Sequence, residues 1–127
     1  MSTNKTIRVA IEFCIRVGAI DHLFGELFDK FADCGMEQRY FQNLSPFILS
    51  GKFKQLKIPD LIVFRMLGYF IETDIPMFEK CIMNLDMSTY DKNLEILHMC
   101  EMHFLTSGIM YMLTTLYDKD NENTVCL

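Results

Sequence analysis

The sequence lacks any block of basic residues, any apolar run near the length of a membrane span, any C-x-x-C pair and any glycine-rich loop. Each absence removes a class of function. The net charge of -5 is spread along 127 residues, and with no cationic stretch to track a phosphate backbone, nucleic acid is not an expected partner. The most apolar windows are interrupted by Arg8, Glu12 and Arg16, or by Arg65 and Glu72. None reaches the ~20 apolar residues a spanning helix needs. Ser-Thr-Asn-Lys at the start shows no cleavable signal pattern, so a secretory route is not expected. Cys14, Cys34, Cys81, Cys100 and Cys126 are odd in number and scattered, which reads as reduced thiols in a cytoplasmic setting rather than a disulfide framework. Cys126 is next to last, not fourth from the end, so no prenyl anchor is implied.

Catalytic patterns are missing too. There is no G-x-S-x-G, no phosphate loop, and no cysteine with a histidine and an orienting acid. Glu26, Asp29, Asp33 and Glu37 fall on polar helix faces, where charge serves solubility. His98, Cys100 and His103 are the nearest approach to a ligand cluster. On a continuous helix His98 and Cys100 point ~200° apart, and no second ligand pair accompanies them. The expectation is no enzyme, no catalytic, cofactor-binding or metal-binding residue, and no cofactor. A small metal-binding helical protein using these three residues stands as the rival from another class.

What the sequence does contain is helices. From Lys5 to Val17 the polar residues Lys5, Arg8, Glu12 and Arg16 are spaced three, four and four, and nearly all the rest is apolar. That pattern predicts a helix with one narrow polar strip, closed by Gly18. Ile20, Leu23, Phe24, Leu27, Phe28 and Phe31 predict a one-sided helix ending near Cys34-Gly35. A third, over Glu37 to Leu49, contains Pro46, which is expected to kink or divide it. After a short basic connector, Lys52 to Lys57, a helix from Pro59 to Thr73 again has only a narrow polar strip, around Arg65 and Glu72. Thr73-Asp74 is expected to cap the next, whose stripe is Met77, Phe78, Cys81, Ile82 and Leu85. Asp86 to Asp91 reads as a turn with cap residues Asp86, Ser88 and Thr89. A sixth helix carries Leu94, Leu97 and Cys100, and a seventh, from Leu105 to Tyr117, carries Ile109, Met112, Leu113 and Leu116. The segment 118–127 reads as a polar, frayed tail.

Short helices joined by short turns predict an all-α fold, an α-solenoid of about seven antiparallel-paired helices of the clathrin-repeat kind, with a four-helix bundle as the alternative. Residues 1–127 are expected to form one solenoid segment of a longer array. Met77, Met83, Met87, Met99, Met102, Met110 and Met112 crowd the C-terminal half, either as core filling or as an adaptable binding face. Helices apolar nearly all round need neighbours on several sides, which makes the chain an interaction scaffold.

Between Phe41 and Tyr117 the chain resembles the central region of the vacuolar protein sorting-associated protein eight family, the subunit specific to the CORVET endosomal tethering complex. The resemblance rests on Leu44-Ser45-Pro46-Phe47-Ile48-Leu49-Ser50-Gly51, on Phe78-Glu79-Lys80-Cys81-Ile82-Met83-Asn84-Leu85-Asp86, and on the helices around Leu97-His98-Met99-Cys100 and Tyr111. It implies a non-enzymatic scaffold in vesicle tethering and in endosome-to-vacuole or lysosome protein transport. The partners implied are the shared Vps-C core subunits and an endosomal Rab GTPase. The implied place is the cytoplasmic side of an endosomal or vacuolar membrane, with indirect membrane contact only. No β-propeller or RING pattern accompanies the helices, in keeping with a segment of something longer. A generic helical-repeat adaptor is the alternative reading.

Overall fold

A computed structural model describes the backbone of residues 3–125 and the side chains of residues 5–117. Over that range the chain is all-α, with seven helices and no strand. It divides into two compact units, one ending at Lys52 and the other beginning at Phe53.

The first unit holds α1 (Thr3–Val17), α2 (20–33) and α3 (Glu37–Leu49). Helix α3 packs against both α1 and α2. Ile7, Ile11 and Cys14 are the buried face of α1, and Leu23, Phe24, Leu27 and Phe28 that of α2. Opposite them Tyr40, Phe41, Leu44 and Ile48 complete the core. Phe28 meets Tyr40 edge-on at 5.1 Å and stacks with Phe41 at 6.1 Å. Helix α2 is not a plain α-helix, because Leu23–Leu27 forms a π turn. Such a turn loosens the regular backbone ladder, and here the buried Tyr40 hydroxyl donates to the Leu23 carbonyl at 2.8 Å.

Pro46 does not divide α3, which runs unbroken through it. The reason lies one residue earlier. Proline removes the N–H that would bond the carbonyl four residues back, and the Ser45 hydroxyl donates to that Gln42 carbonyl at 3.1 Å instead. Helices α1 and α2 close with glycine in the left-handed region, Gly18 at φ 77° and Gly35 at φ 73°. In both, the residue after the glycine bonds five residues back, from Ala19 to the Cys14 carbonyl and from Met36 to the Phe31 carbonyl. This pattern satisfies carbonyls left open at a helix end.

The second unit holds α4 (Asp60–Thr73), α5 (Ile75–Met83), α6 (Asn93–Met102) and α7 (Thr106–Val125). Helices α4 and α5 form one pair and α6 and α7 another; α4 also touches α6, and α5 touches α7. That stacking of pair on pair, like helix on like helix, is the construction of a helical solenoid. Pro59 precedes α4 and its carbonyl receives the Ile62 and Val63 amides. Asp74 caps α5 through the Met77 amide at 3.2 Å. Ile62, Val63, Met66, Leu67, Phe70 and Ile71 are the buried residues of α4, and Phe53, expected to lie in a basic connector, is buried as well. Gly108 lies inside α7, where a Cβ would stand 3.1 Å from Cys100 Sγ and 3.4 Å from Ile82 Cδ1. The missing methyl thus sets how closely α7 approaches α5 and α6. The expected tail, 118–127, lies outside the residues whose side chains are described.

Candidate interaction surface

The turn between α5 and α6 gathers a cluster of side-chain hydrogen bonds. Asp86 receives Ser88 Oγ on its carboxylate at 2.6 Å and Thr89 Oγ1 on its carbonyl at 2.7 Å. These expected cap residues bond one another around the 3₁₀ turn Met87–Thr89, and none of their side chains caps that turn or α6. Lys57 reaches the turn from the connector. Its Nζ donates to the Thr89 carbonyl at 2.8 Å, lies 2.9 Å from Asp60 Oδ1, and sits 5.1 Å from the centre of the Tyr90 ring. Asp60 also accepts the Asp91 amide at 3.2 Å. The Lys57 hydrogen bond, with the Asp91 amide, holds the Asp60 carboxyl below its ordinary range despite partial burial. Tyr90 Oη accepts the Ile58 amide, and burial pushes its phenol up to about 12. A pocket of about 80 Å³ opens here, between Phe53, Lys54, Lys57, Asp86 and Tyr90. Lys57 is already engaged on three sides, so the arrangement serves as a clasp between connector and turn. Tyr111 adds a second tie, donating from α7 to the Leu85 carbonyl at 3.0 Å.

The sixth helix is continuous through His98 and Cys100. His98 is exposed, Cys100 is buried, and His103 stands exposed just past the last turn. The three therefore do not converge on one point. Among the described residues, no group of three or more His, Cys, Asp or Glu is placed to hold a metal ion. Burial is the first cause that pushes Cys100 up to about 11 and Cys81 up to about 12, with the nearby Glu79 and Asp74 charges adding to it. Thiols held protonated in this way are neither nucleophiles nor good ligands.

What remains is surface. On α1 the polar strip Arg8, Glu12 and Arg16 is exposed as its spacing predicts, with Arg16 bonded to Glu12 at 3.0 Å. Beside it Val9, Phe13 and Val17 are exposed too, Phe13 by 58%. On α7, Met110, Leu113 and Tyr117 form a second exposed apolar stripe. Of the residues of this helix whose side chains are described, only Gly108 and Met112 are buried, and Leu113 is 49% exposed. Leu94 is likewise outside the core, which α6 reaches through Ile96 and Cys100. Both helices are apolar on more than one face, so periodicity alone does not choose which face goes inward. The methionines divide accordingly: Met66, Met87 and Met112 are buried, whereas Met102 and Met110 are exposed.

Phe104 gave no sequence signal. It occupies the helix-ending position after α6, with φ 55°, the only non-glycine residue at positive φ among those described. Its amide bonds the Glu101 carbonyl, and the Leu105 amide bonds the Cys100 carbonyl at 2.9 Å. The geometry matches that at Gly18 and Gly35, but with a phenylalanine whose side chain is 88% exposed. A left-handed residue with a Cβ costs roughly 1–2 kcal/mol, and an exposed ring recovers little of that by burial.

Helices stacked in pairs, with apolar faces exposed on α1 and α7, are the construction of a helical-repeat module. The model of the family described as Vps8 central TPR matches residues 39–120, well over half of the chain, and the chain belongs to that family. No curated protein and no solved structure matches it. Among the described residues no helix is long and apolar enough to cross a membrane.

Proposed function

We propose that the chain is a non-enzymatic scaffold segment of an endosomal tethering subunit, acting in endosome-to-vacuole or lysosome protein transport. In this reading it works on the cytoplasmic side of the membrane, which it meets only through its partners. Those partners are the Vps-C core subunits and an endosomal Rab GTPase. The observation that carries the proposal is the coincidence of the family match with the α4–α7 stack. Within the matched residues, the stretch Phe78–Asp86 and the helix around Tyr111 are joined by the Tyr111–Leu85 bond. Such a tie fixes the relative placement of two helices, which is what a scaffold transmits.

Affinity capture from cytosol under mild conditions tests it. Recovery of Vps-C core subunits with the intact chain is the expected result. Their clean absence, with other proteins captured in their place, overturns the tethering role and leaves a generic helical-repeat adaptor.

A further inference from the structure

The sulfur atoms of the second unit include two contrasting sets. Met66, Met87 and Met112 are buried, as are Cys81 and Cys100. Met102 is 64% exposed and Met110 60%, and each lies within three residues of another exposed apolar side chain, Phe104 for the first and Leu113 for the second. Met110 and Met112 share helix α7 but leave it ~200° apart, so one stretch of sequence turns one sulfur to solvent and the other to the core. A thioether reacts with a peroxide without losing a proton, whereas a thiol reacts as its thiolate. The buried Cys81 and Cys100 thiols stay protonated near neutrality.

We propose that Met102 and Met110 are sites of reversible oxidation by hydrogen peroxide, and that their oxidation lowers the apolar character of this surface while the core stays packed. The Sδ lone pair attacks one peroxide oxygen, so that an S–O bond forms and the O–O bond breaks. The departing hydroxide takes the proton of the transferred oxygen and leaves as water. Sulfur is oxidised by two electrons and the peroxide is reduced by two. A polar sulfoxide then stands where an apolar thioether stood. At Met66, Met87 or Met112 the same change would put that polar group into the core, but burial keeps peroxide away until the unit opens. Reductases specific for each sulfoxide epimer return the thioether at the expense of a dithiol, so the change can be undone. It concerns the chain's own surface and stands apart from the tethering role.

Peptide mass spectrometry through a hydrogen peroxide time course reads each position, with accessible thiols, the exposed Cys34 among them, blocked beforehand by N-ethylmaleimide. Met102 and Met110 are expected to oxidise at least about tenfold faster than Met66, Met87 and Met112, because a core sulfur meets peroxide only in an opened state. At that stage the helical circular-dichroism signal is expected to be intact and the chain to elute earlier from a hydrophobic-interaction column. Sulfoxide reductases of both epimer specificities, with a dithiol, are expected to restore mass and elution. Met102→Leu combined with Met110→Leu, similar in size but unable to take up oxygen, is expected to keep its elution through the same treatment. If that variant loses its helical signal, the rates of Met110 and Met112 in the unaltered chain decide alone. Met112 oxidising as fast as Met110 overturns the proposal. So does an unchanged elution or a lost helical signal once both exposed positions are oxidised, a sulfoxide the reductases leave in place, or a folded double variant whose elution shifts as far.

Discussion

Helices α1 and α4 look alike in sequence and end up differently. Both are apolar around most of their circumference and interrupted by a polar strip of three- and four-residue spacing. Helix α4 has α5 on one side and α6 on another, and six of its residues are buried. Even Phe64, only half-buried, lies under the Lys92 ammonium, 4.5 Å from its ring centre. Helix α1 packs on α2 and α3 but leaves Val9, Phe13 and Val17 exposed. The same pattern therefore describes a helix with its neighbours in place and a helix with a face to spare. Neighbour count, which a pattern does not encode, separates them.

The contrast can be broken most forcefully in the core. Leu67→Ala should cost about 2–5 kcal/mol, the usual range for emptying a buried leucine, whereas Phe13→Ala should stay within about 0.5 kcal/mol. Denaturant midpoints at dilute concentration measure both, and comparable losses would mean that the α1 stripe is covered after all. Next comes the support beneath α1. Tyr40→Phe keeps the ring but leaves the buried Leu23 carbonyl without its donor, a loss of about 1–3 kcal/mol. Phe104→Gly goes the other way: relief of the left-handed strain should outweigh the flexibility that glycine adds, for a net gain of up to about 1 kcal/mol. It separates an exposed ring that strains the chain from one, Phe13, that does not.

The smallest effect distinguishes the two helices by pH. Asp60 sits in the first turn of α4, while α1 has no acid in its first turn. Because the folded state holds the Asp60 carboxyl below its ordinary value, its contribution is complete above the ordinary carboxylate range and is lost as pH falls through the lowered value. The stability difference between the unaltered chain and Asp60→Asn should accordingly be constant near neutrality and shrink in acid. A difference that grows in acid would contradict the Lys57–Asp60 clasp.

Much of this architecture was legible beforehand. The two narrow polar strips, the glycine stops at Gly18 and Gly35, and the Asp74 cap each depend on residues near one another in sequence, and each is found in place. The family resemblance, read from Ser45-Pro46 and the Cys81–Asp86 turn, is matched by the family model over residues 39–120. Other features depend on contacts made across the fold. Lys57 finds Thr89 across 32 residues, and Tyr40 finds Leu23 across 17. Neither pairing leaves a local pattern. The inward face of α7 is not marked either, because Leu113 and Met112 are adjacent and equally apolar; Gly108, one turn before Met112, has no side chain and lies against Cys100.

The π turn at Leu23–Leu27 has a consequence for insertions and deletions. A π turn holds one residue more than the α-helical turn it replaces, while the helix on either side keeps its ordinary phase. A chain shortened by one residue at Gly25, where even a Cβ would meet nothing within 4 Å, could close this stretch as regular helix. Ile20 and Phe31 would still face the directions they face now. The first unit thus carries, in the middle of a helix and not in a loop, a place where chain length can change by one without moving anything on either side.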